Sequence, residues 1–233
     1  MPTVTYEARR GEILTYFDRT AVQAWARLTS DAPLGRIRAT VRAGREQMRA
    51  TLLDWLPADL RGARLLDAGC GTGALAIEAA RRGADVVAID ISPTLIGLAA
   101  ERSPRDLGFG RVRFEVGDML DPRLGTFDHV VAMDSLIHYR APDVVRAVAG
   151  LTARAKTSVA FTFAPRTAPL AVMHAVGRFF PRGDRAPAIE PVGEAKLRRL
   201  IAADRALSGW RQERTSRIIC GFYTSQALEL RVR

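Results

Sequence analysis

The chain reads as an α/β protein built on a doubly wound, mostly parallel sheet, and two observations carry that reading. Short β-branched or apolar runs alternate with helical stretches through its middle, the pattern of successive βαβ units. A glycine-rich turn follows the first of those runs and opens a helix, as it does where a ligand approaches the backbone at a helix N-terminus.

In chain order, residues 1–60 read as two helices, over about 6–28 and 34–55, the second ended by Pro57. Residues 64–68 (Arg-Leu-Leu-Asp-Ala) form a first buried strand, followed by the turn Gly69-Cys70-Gly71-Thr72-Gly73. A helix over 74–80 stops at Gly83, in a C-terminal cap position. The second strand is 85–90, and Ser92-Pro93 supplies an N-cap and a first-turn proline for the next helix. Strands over 112–116 and 127–133 follow, then a helix from near Pro142 and a fifth strand over 158–163. Residues 165–191 break the rhythm: five prolines bracket an apolar run at 170–180, which reads as an inserted helix with loops. A helix over 194–203 and two last strands, 210–219 and 222–230, bring the sheet to seven strands. There is no internal repeat and no low-complexity tract.

At 233 residues, 48% hydrophobic and 26% charged, the chain can bury a real core, as one large domain or one domain with extensions. No run approaches the ~20 apolar residues of a membrane span. The first residues carry acids and polar groups where a signal peptide has its apolar stretch, so secretion is not expected. Cys70 and Cys220 alone make no disulfide framework, which points to a reducing cytoplasm. The net charge of +10 is concentrated: residues 151–233 hold 15 basic and 6 acidic groups. All but Lys156 and Lys196 of the 35 bases are arginine, so the excess reads equally as a solvated face or as a surface for an anionic substrate, partner or membrane.

Gly69-x-Gly71-x-x-Ala74 with Asp90 about 20 residues on satisfies a relaxed dinucleotide fingerprint, a weak signal that leaves a nicotinamide oxidoreductase open. The fuller set is sharper: 66–73 (Leu-Asp-Ala-Gly-Cys-Gly-Thr-Gly), Asp90 ending the second strand, and Gly117-Asp118-Met119 past the third. In this order and spacing they resemble the class I S-adenosylmethionine (SAM)-dependent methyltransferases, with a Rossmann-like seven-stranded sheet. The resemblance implies close backbone approach at Gly69, Cys70 and Gly71, with Asp67 orienting the turn and the ammonium end of the cofactor. It implies Asp90 on the ribose hydroxyls, Asp118 on the adenine amino group, and Met119 packed on the adenine ring. Ile91 and Met133 are expected beside the cofactor, and Arg42, near Gly44, on its carboxylate.

Enzymes of this class that modify exocyclic base nitrogens place an Asn/Asp-Pro-Pro-aromatic tetrad after the fourth strand. Here that place holds Asp134-Ser135-Leu136-Ile137-His138-Tyr139, and no basic stretch interleaved with aromatics is present, so nucleic acid is not the expected partner. A second, wider resemblance covers almost the whole chain. Its pieces are Tyr16-Phe17 with Trp25, the stretch 37–47, Met133 through Tyr139, Phe163-Ala164-Pro165-Arg166-Thr167, Phe179-Phe180-Pro181, and Gly221-Phe222-Tyr223. This ordered set is similar to the magnesium-protoporphyrin IX methyltransferases of (bacterio)chlorophyll synthesis, which implies esterification of one propionate of magnesium protoporphyrin IX, with SAM as methyl donor.

The resemblance casts His138, with Tyr139 beside it, as the catalytic pair. A propionate is ionised near neutrality, with a pKa of ~4.3, so His138 orients the carboxylate, or takes its proton should burial raise that value. For the flat apolar macrocycle the candidates are Tyr16 and Trp25 in the N-terminal helices, and Phe179, Phe180 and His174 in the insertion, with Arg166 and Arg182 for the second propionate. Core packing is the competing reading for each apolar one. No protein-bound metal is expected, since magnesium arrives with the substrate. The implied division is an N-terminal helical lid (1–60), a SAM-binding core (61–164 and 192–233) and an inserted substrate-binding segment (165–191). Partners implied are the porphyrin, the large subunit of magnesium chelatase, and a peripheral contact with the photosynthetic membrane from a cytoplasmic protein. A methyltransferase for another acidic metabolite, and a porphyrin carrier serving the chelatase, remain alternatives.

Overall fold

Apolar side chains on alternate positions of each central strand leave the sheet on opposite faces, so helices must cover both. The computed structural model describes residues 4–16, 18, 35–166 and 188–233. Its elements are α1 (Val4–Thr15), α2 (Arg36–Asp54), β1 (Arg64–Ala68), α3 (Ala74–Arg81), β2 (Asp85–Asp90), α4 (Pro93–Arg102), β3 (Arg111–Val116), β4 (Phe127–Ala132), α5 (Ala141–Thr152), β5 (Ala155–Phe163), α6 (Glu194–Ala203), β6 (Trp210–Cys220) and β7 (Tyr223–Val232).

The seven strands form one sheet in the order β3-β2-β1-β4-β5-β7-β6. The first five run parallel; β7 is antiparallel to both β5 and β6. On one face Leu66, Ala68, Val130 and Ala132 pack with Tyr6 and Ile13 of α1, Val144, Val148 and Leu151 of α5, and Leu197 and Ile201 of α6. On the other, Leu65, Val86, Ala88 and Val131 pack with Met48, Leu52 and Leu53 of α2 and Leu75, Ala76 and Ala79 of α3. The doubly wound expectation is met, and the two N-terminal helices are divided between the two faces.

Local signals place most boundaries. Ser92 caps α4 by accepting the Leu95 N–H at 3.2 Å, with Pro93 in its first turn. Gly83 takes φ +100° behind α3, the left-handed position that glycine fills without strain. β6, alternating half-buried and exposed positions along an edge, turns Arg211, Glu213 and Arg217 outward and so blunts that edge. Other expectations shift. β5 starts at Ala155, three residues early, because Phe127 of β4 pairs with Ala155 across a register irregularity. α1 is described over Val4–Thr15, with residues 16 and 18 in π-helical turns; the rest of the helix expected to residue 28 falls on residues 17 and 19–28, which lie outside the described residues. The apolar run at 170–180, expected as an inserted helix, also lies outside them, as do all of residues 167–187, but the ends of the insertion are joined: Val192 N–H donates to Ala164 O at 2.9 Å and Arg166 N–H to Val192 O at 3.1 Å. Among the described residues no helix is long and apolar enough to cross a membrane, and no cluster of His, Cys, Asp and Glu is arranged to hold a metal ion.

Candidate functional site

Open parallel sheets bind ligands at the C-terminal ends of their strands, where strand order reverses; here that point lies between β1 and β4. The glycine turn after β1 and the loop 133–140 after β4 meet there. Gly69, at φ +81°, has no room for a side chain, since a Cβ would collide with that of Ser135. The turn is held by its own backbone: Gly69 and Cys70 N–H donate to Ile89 O at 2.8 and 3.0 Å, and Gly71 N–H donates to Asp90 Oδ2 at 2.9 Å.

Three carboxylates surround this turn and the strand ends beside it. Asp67 is 1% exposed and burial, reinforced by the negative Asp90, pushes its pKa up to about 7. Its Oδ2 has no hydrogen-bond partner, and neither has the buried Ser135 Oγ. Buried polar atoms are rarely left unpaired, so two of them at one ligand site mark where a polar ligand docks. Asp90 spends one lone pair per oxygen on Gly71 N–H and Ser92 N–H, at 2.9 and 3.0 Å, and keeps acceptor capacity on both. Burial raises the Asp90 pKa as well.

Asp118 accepts from Leu120 N–H at 2.9 Å and Tyr6 O–H at 3.1 Å on Oδ1, and from Arg10 on Oδ2. Tyr6 and Arg10 belong to α1, so this helix lies over the acid expected to meet adenine. Asp18 continues the cover, accepting from Ser92 O–H at 2.5 Å at the α4 N-terminus. An orphaned acid for an ammonium, a two-oxygen acceptor for a pair of hydroxyls and a turn with no space for a Cβ fit the adenosyl amino acid that the sequence implies.

The remaining expected residues fall as follows. Met119 is buried in the α1/α5 face, and Ile91 packs against it; Met133 packs against the α2/α3 face. Burial drives the Cys70 thiol well above its ordinary pKa, so Cys70 lines the turn as a neutral group. Arg42 is half-buried on α2, Tyr16 is half-buried beyond α1, and Arg166 is exposed where the insertion departs. Tyr139 is buried with its ring stacked on Tyr6 at 4.8 Å between centroids, and burial raises its phenol pKa. His138 is 7% exposed, and its Nδ1 lies 3.4 Å from Ala188 O, at the returning end of the insertion. Trp25, His174, Phe179, Phe180 and Arg182 lie outside the described residues. His129, on β4, is buried with its Nδ1 2.8 Å from Ser158 Oγ.

Sequence reasoning passed over Tyr6, Arg10, Asp18 and Ser135, which reach the site from elements distant in the chain. Only Ser135 had a local signal, its place directly after a strand that ends beside the glycine turn.

Two family models match the chain: "Methyltransferase domain" over residues 65–157 and "Magnesium-protoporphyrin IX methyltransferase C-terminus" over residues 132–232. The magnesium-protoporphyrin O-methyltransferase of Rhodobacter capsulatus is 50% identical over 227 residues, covering 97% of this chain and 98% of that one. Its counterpart from Synechocystis is 30% identical over 92% of both chains. The crystal structure of the Synechocystis magnesium protoporphyrin IX methyltransferase with bound SAH superposes with a TM-score of 0.84 at 29% identity, covering 96% of this chain and 100% of that one. The same enzyme with bound SAM superposes at 0.80. The cofactor is therefore SAM, on a Rossmann-like class I methyltransferase fold. With half its residues shared with one such enzyme along nearly the whole length, this chain belongs to the magnesium-protoporphyrin O-methyltransferases.

Proposed function

We propose that this chain transfers the methyl group of SAM to a propionate carboxylate of magnesium protoporphyrin IX, releasing the monomethyl ester and S-adenosylhomocysteine. The observation that carries this reading is the packing of Ser135 on Gly69, which brings the loop holding the buried His138 against the glycine turn.

When bound, SAM supplies an electrophilic methyl carbon on a sulfonium: the carboxylate oxygen forms the O–C bond as the C–S bond breaks, and that electron pair stays on sulfur. Opposite charges cancel in such a displacement, so water that solvates them slows it, and the chain's work is alignment and dryness. Asp67, Asp90 and Asp118 fix the cofactor's ammonium, ribose and adenine ends. α1, through Tyr6 and Arg10, and Asp18 beyond it cover the ribose and adenine side as a lid. His138 serves the acceptor: held with its Nδ1 3.4 Å from Ala188 O, it orients the propionate carboxylate, or takes its proton where burial keeps the acid protonated. The insertion returns against the same loop, Glu190 N–H donating to Ile137 O at 2.9 Å, which supports a porphyrin-lining role for it.

The test is mass and chromatographic analysis of magnesium protoporphyrin IX incubated with the purified protein and SAM, beside metal-free protoporphyrin and His138→Ala. A monomethyl ester from the magnesium substrate, much reduced in the variant, is expected. No ester despite tight binding of S-adenosylhomocysteine would overturn the acceptor assignment.

The surroundings belong to the same proposal: a cytoplasmic enzyme that receives its porphyrin from the large chelatase subunit and touches the photosynthetic membrane peripherally. The 15 basic against 6 acidic residues in 151–233 support it, because a lipophilic dicarboxylate and an anionic bilayer both favour a basic surface. Flotation with anionic liposomes, lost as salt rises, is expected; indifference to lipid removes the membrane contact. Chelatase stimulation that survives in His138→Ala would mark porphyrin hand-over as separate from methylation.

A further inference from the structure

Asp134 opens the loop that carries His138, and it is the one non-glycine residue at positive φ, +54°, among the described residues. Aspartate tolerates this left-handed region better than most residues, but the conformation costs energy and persists only where the surroundings impose it. Here they do. The Asp134 side chain is 5% exposed. Oδ2 accepts from Arg45 of α2 at 2.6 Å, and Tyr223 O–H of β7 lies 3.1 Å from both oxygens. Oδ1 also accepts from Ser225 of β7 at 3.1 Å and Thr162 of β5 at 3.2 Å. Thr162 Oγ1 in turn accepts the Asp134 N–H at 2.7 Å, closing a ring around the strained residue.

Four side chains from three elements therefore converge on one buried carboxylate at the root of the loop. Its far end is fixed too: Leu136 and Tyr139 are buried, and Arg140 is the N-cap of α5. A buried network with every member paired holds one geometry. The contacts end at Asp134 and the functional group sits four residues on, so the carboxylate acts on the reaction through the backbone it pins. Building on the function proposed above, we propose that Asp134 is the positioning residue of methyl transfer, setting the loop that presents His138, with Arg45 and Tyr223 tying that loop to α2 and β7.

Asp134→Asn keeps shape and tolerance of positive φ but removes the charge facing Arg45 and replaces one acceptor oxygen by a donor. A loop misplaced by about 1 Å costs up to about 100-fold in rate. The expected result is a kcat lowered about 10- to 100-fold, with S-adenosylhomocysteine affinity and KM for SAM within about threefold of wild type. In a His138→Ala background the same change should cost less than about twofold, because the group it positions is gone. An unchanged kcat, or an equal loss in both backgrounds, overturns the proposal.

Tyr223→Phe removes one donor only and should act in the same direction at smaller size, which keeps the question open to test should Asp134→Asn not fold. A second readout needs no turnover: nitrogen-15 spectra of the imidazoles. Either variant should shift the His138 resonances and tautomer balance while leaving those of His129 in place; unmoved His138 resonances overturn the proposal. If wild type forms no ester, the acceptor assignment fails, and the imidazole spectra still decide the role of Asp134.

Discussion

Asp67→Asn separates what Asp67 costs the fold from what it gives the cofactor. The carboxyl group releases its proton near 3.8 in an unfolded chain, but in the fold its pKa rises to about 7, because burial and Asp90 both disfavour the charge. Between those two values the folded state holds a proton that the unfolded state has lost, so stability falls as pH rises through that window. From about pH 5.5 to about pH 8 the integrated loss is about 2 kcal/mol. For a chain of this length that is about 4–8 °C in Tm. Asparagine keeps the acceptor for the Ala76 N–H and carries no charge, so this loss disappears. Thermal melts of the cofactor-free protein and the variant at both pH values test this, since other titrating groups are common to the two proteins. The variant should gain about 2 kcal/mol on wild type between the two conditions, while binding S-adenosylhomocysteine about tenfold more weakly at the higher pH, a loss of about 1.4 kcal/mol. A stability difference that does not change with pH would refute the assignment of a buried, uncompensated carboxyl to Asp67.

Gly44→Ala on α2 would gain about 1 kcal/mol on an exposed helix. Here the new Cβ would lie 2.5 Å from Tyr223 Cδ1 and 2.9 Å from its Cβ. A net loss of about 1–2 kcal/mol by denaturant titration is expected; a stabilised variant would contradict the packing. Arg214→Ala strips Glu229, 1% exposed, of contacts at 2.6 and 2.8 Å, leaving Arg231 4.0 Å away. The loss should be about 3 kcal/mol, the low end for a broken buried pair because Arg214 is 38% exposed; a loss under about 1 kcal/mol would show the pair to be solvent-screened. Tyr6→Phe removes a hydrogen bond to a partly buried carboxylate and should cost about 1.5 kcal/mol in the cofactor-free protein. An unchanged melting temperature would show that α1 is not latched on Asp118.

The sheet, the glycine turn and the order of the acids are encoded in neighbouring residues. Buried parallel strands are runs of apolar residues, and turns and caps are local chemistry: 64–68, 85–90, Ser92-Pro93 and Gly83 carry their own structure in adjacent side chains. Asp67, Asp90 and Asp118 were legible because each lies within, ends or follows a strand at fixed spacing from the turn. What only the tertiary structure decided is which distant groups meet them. Tyr6 and Arg10 reach Asp118 across more than a hundred residues, and Arg45, Thr162, Tyr223 and Ser225 close on Asp134 from three elements. No periodicity encodes such a convergence. It follows from strand order, which places β5 beside β4 and β7 next to β5, and from glycines at 44 and 69, whose missing side chains let α2 pack on Tyr223 and the His138 loop pack on the glycine turn.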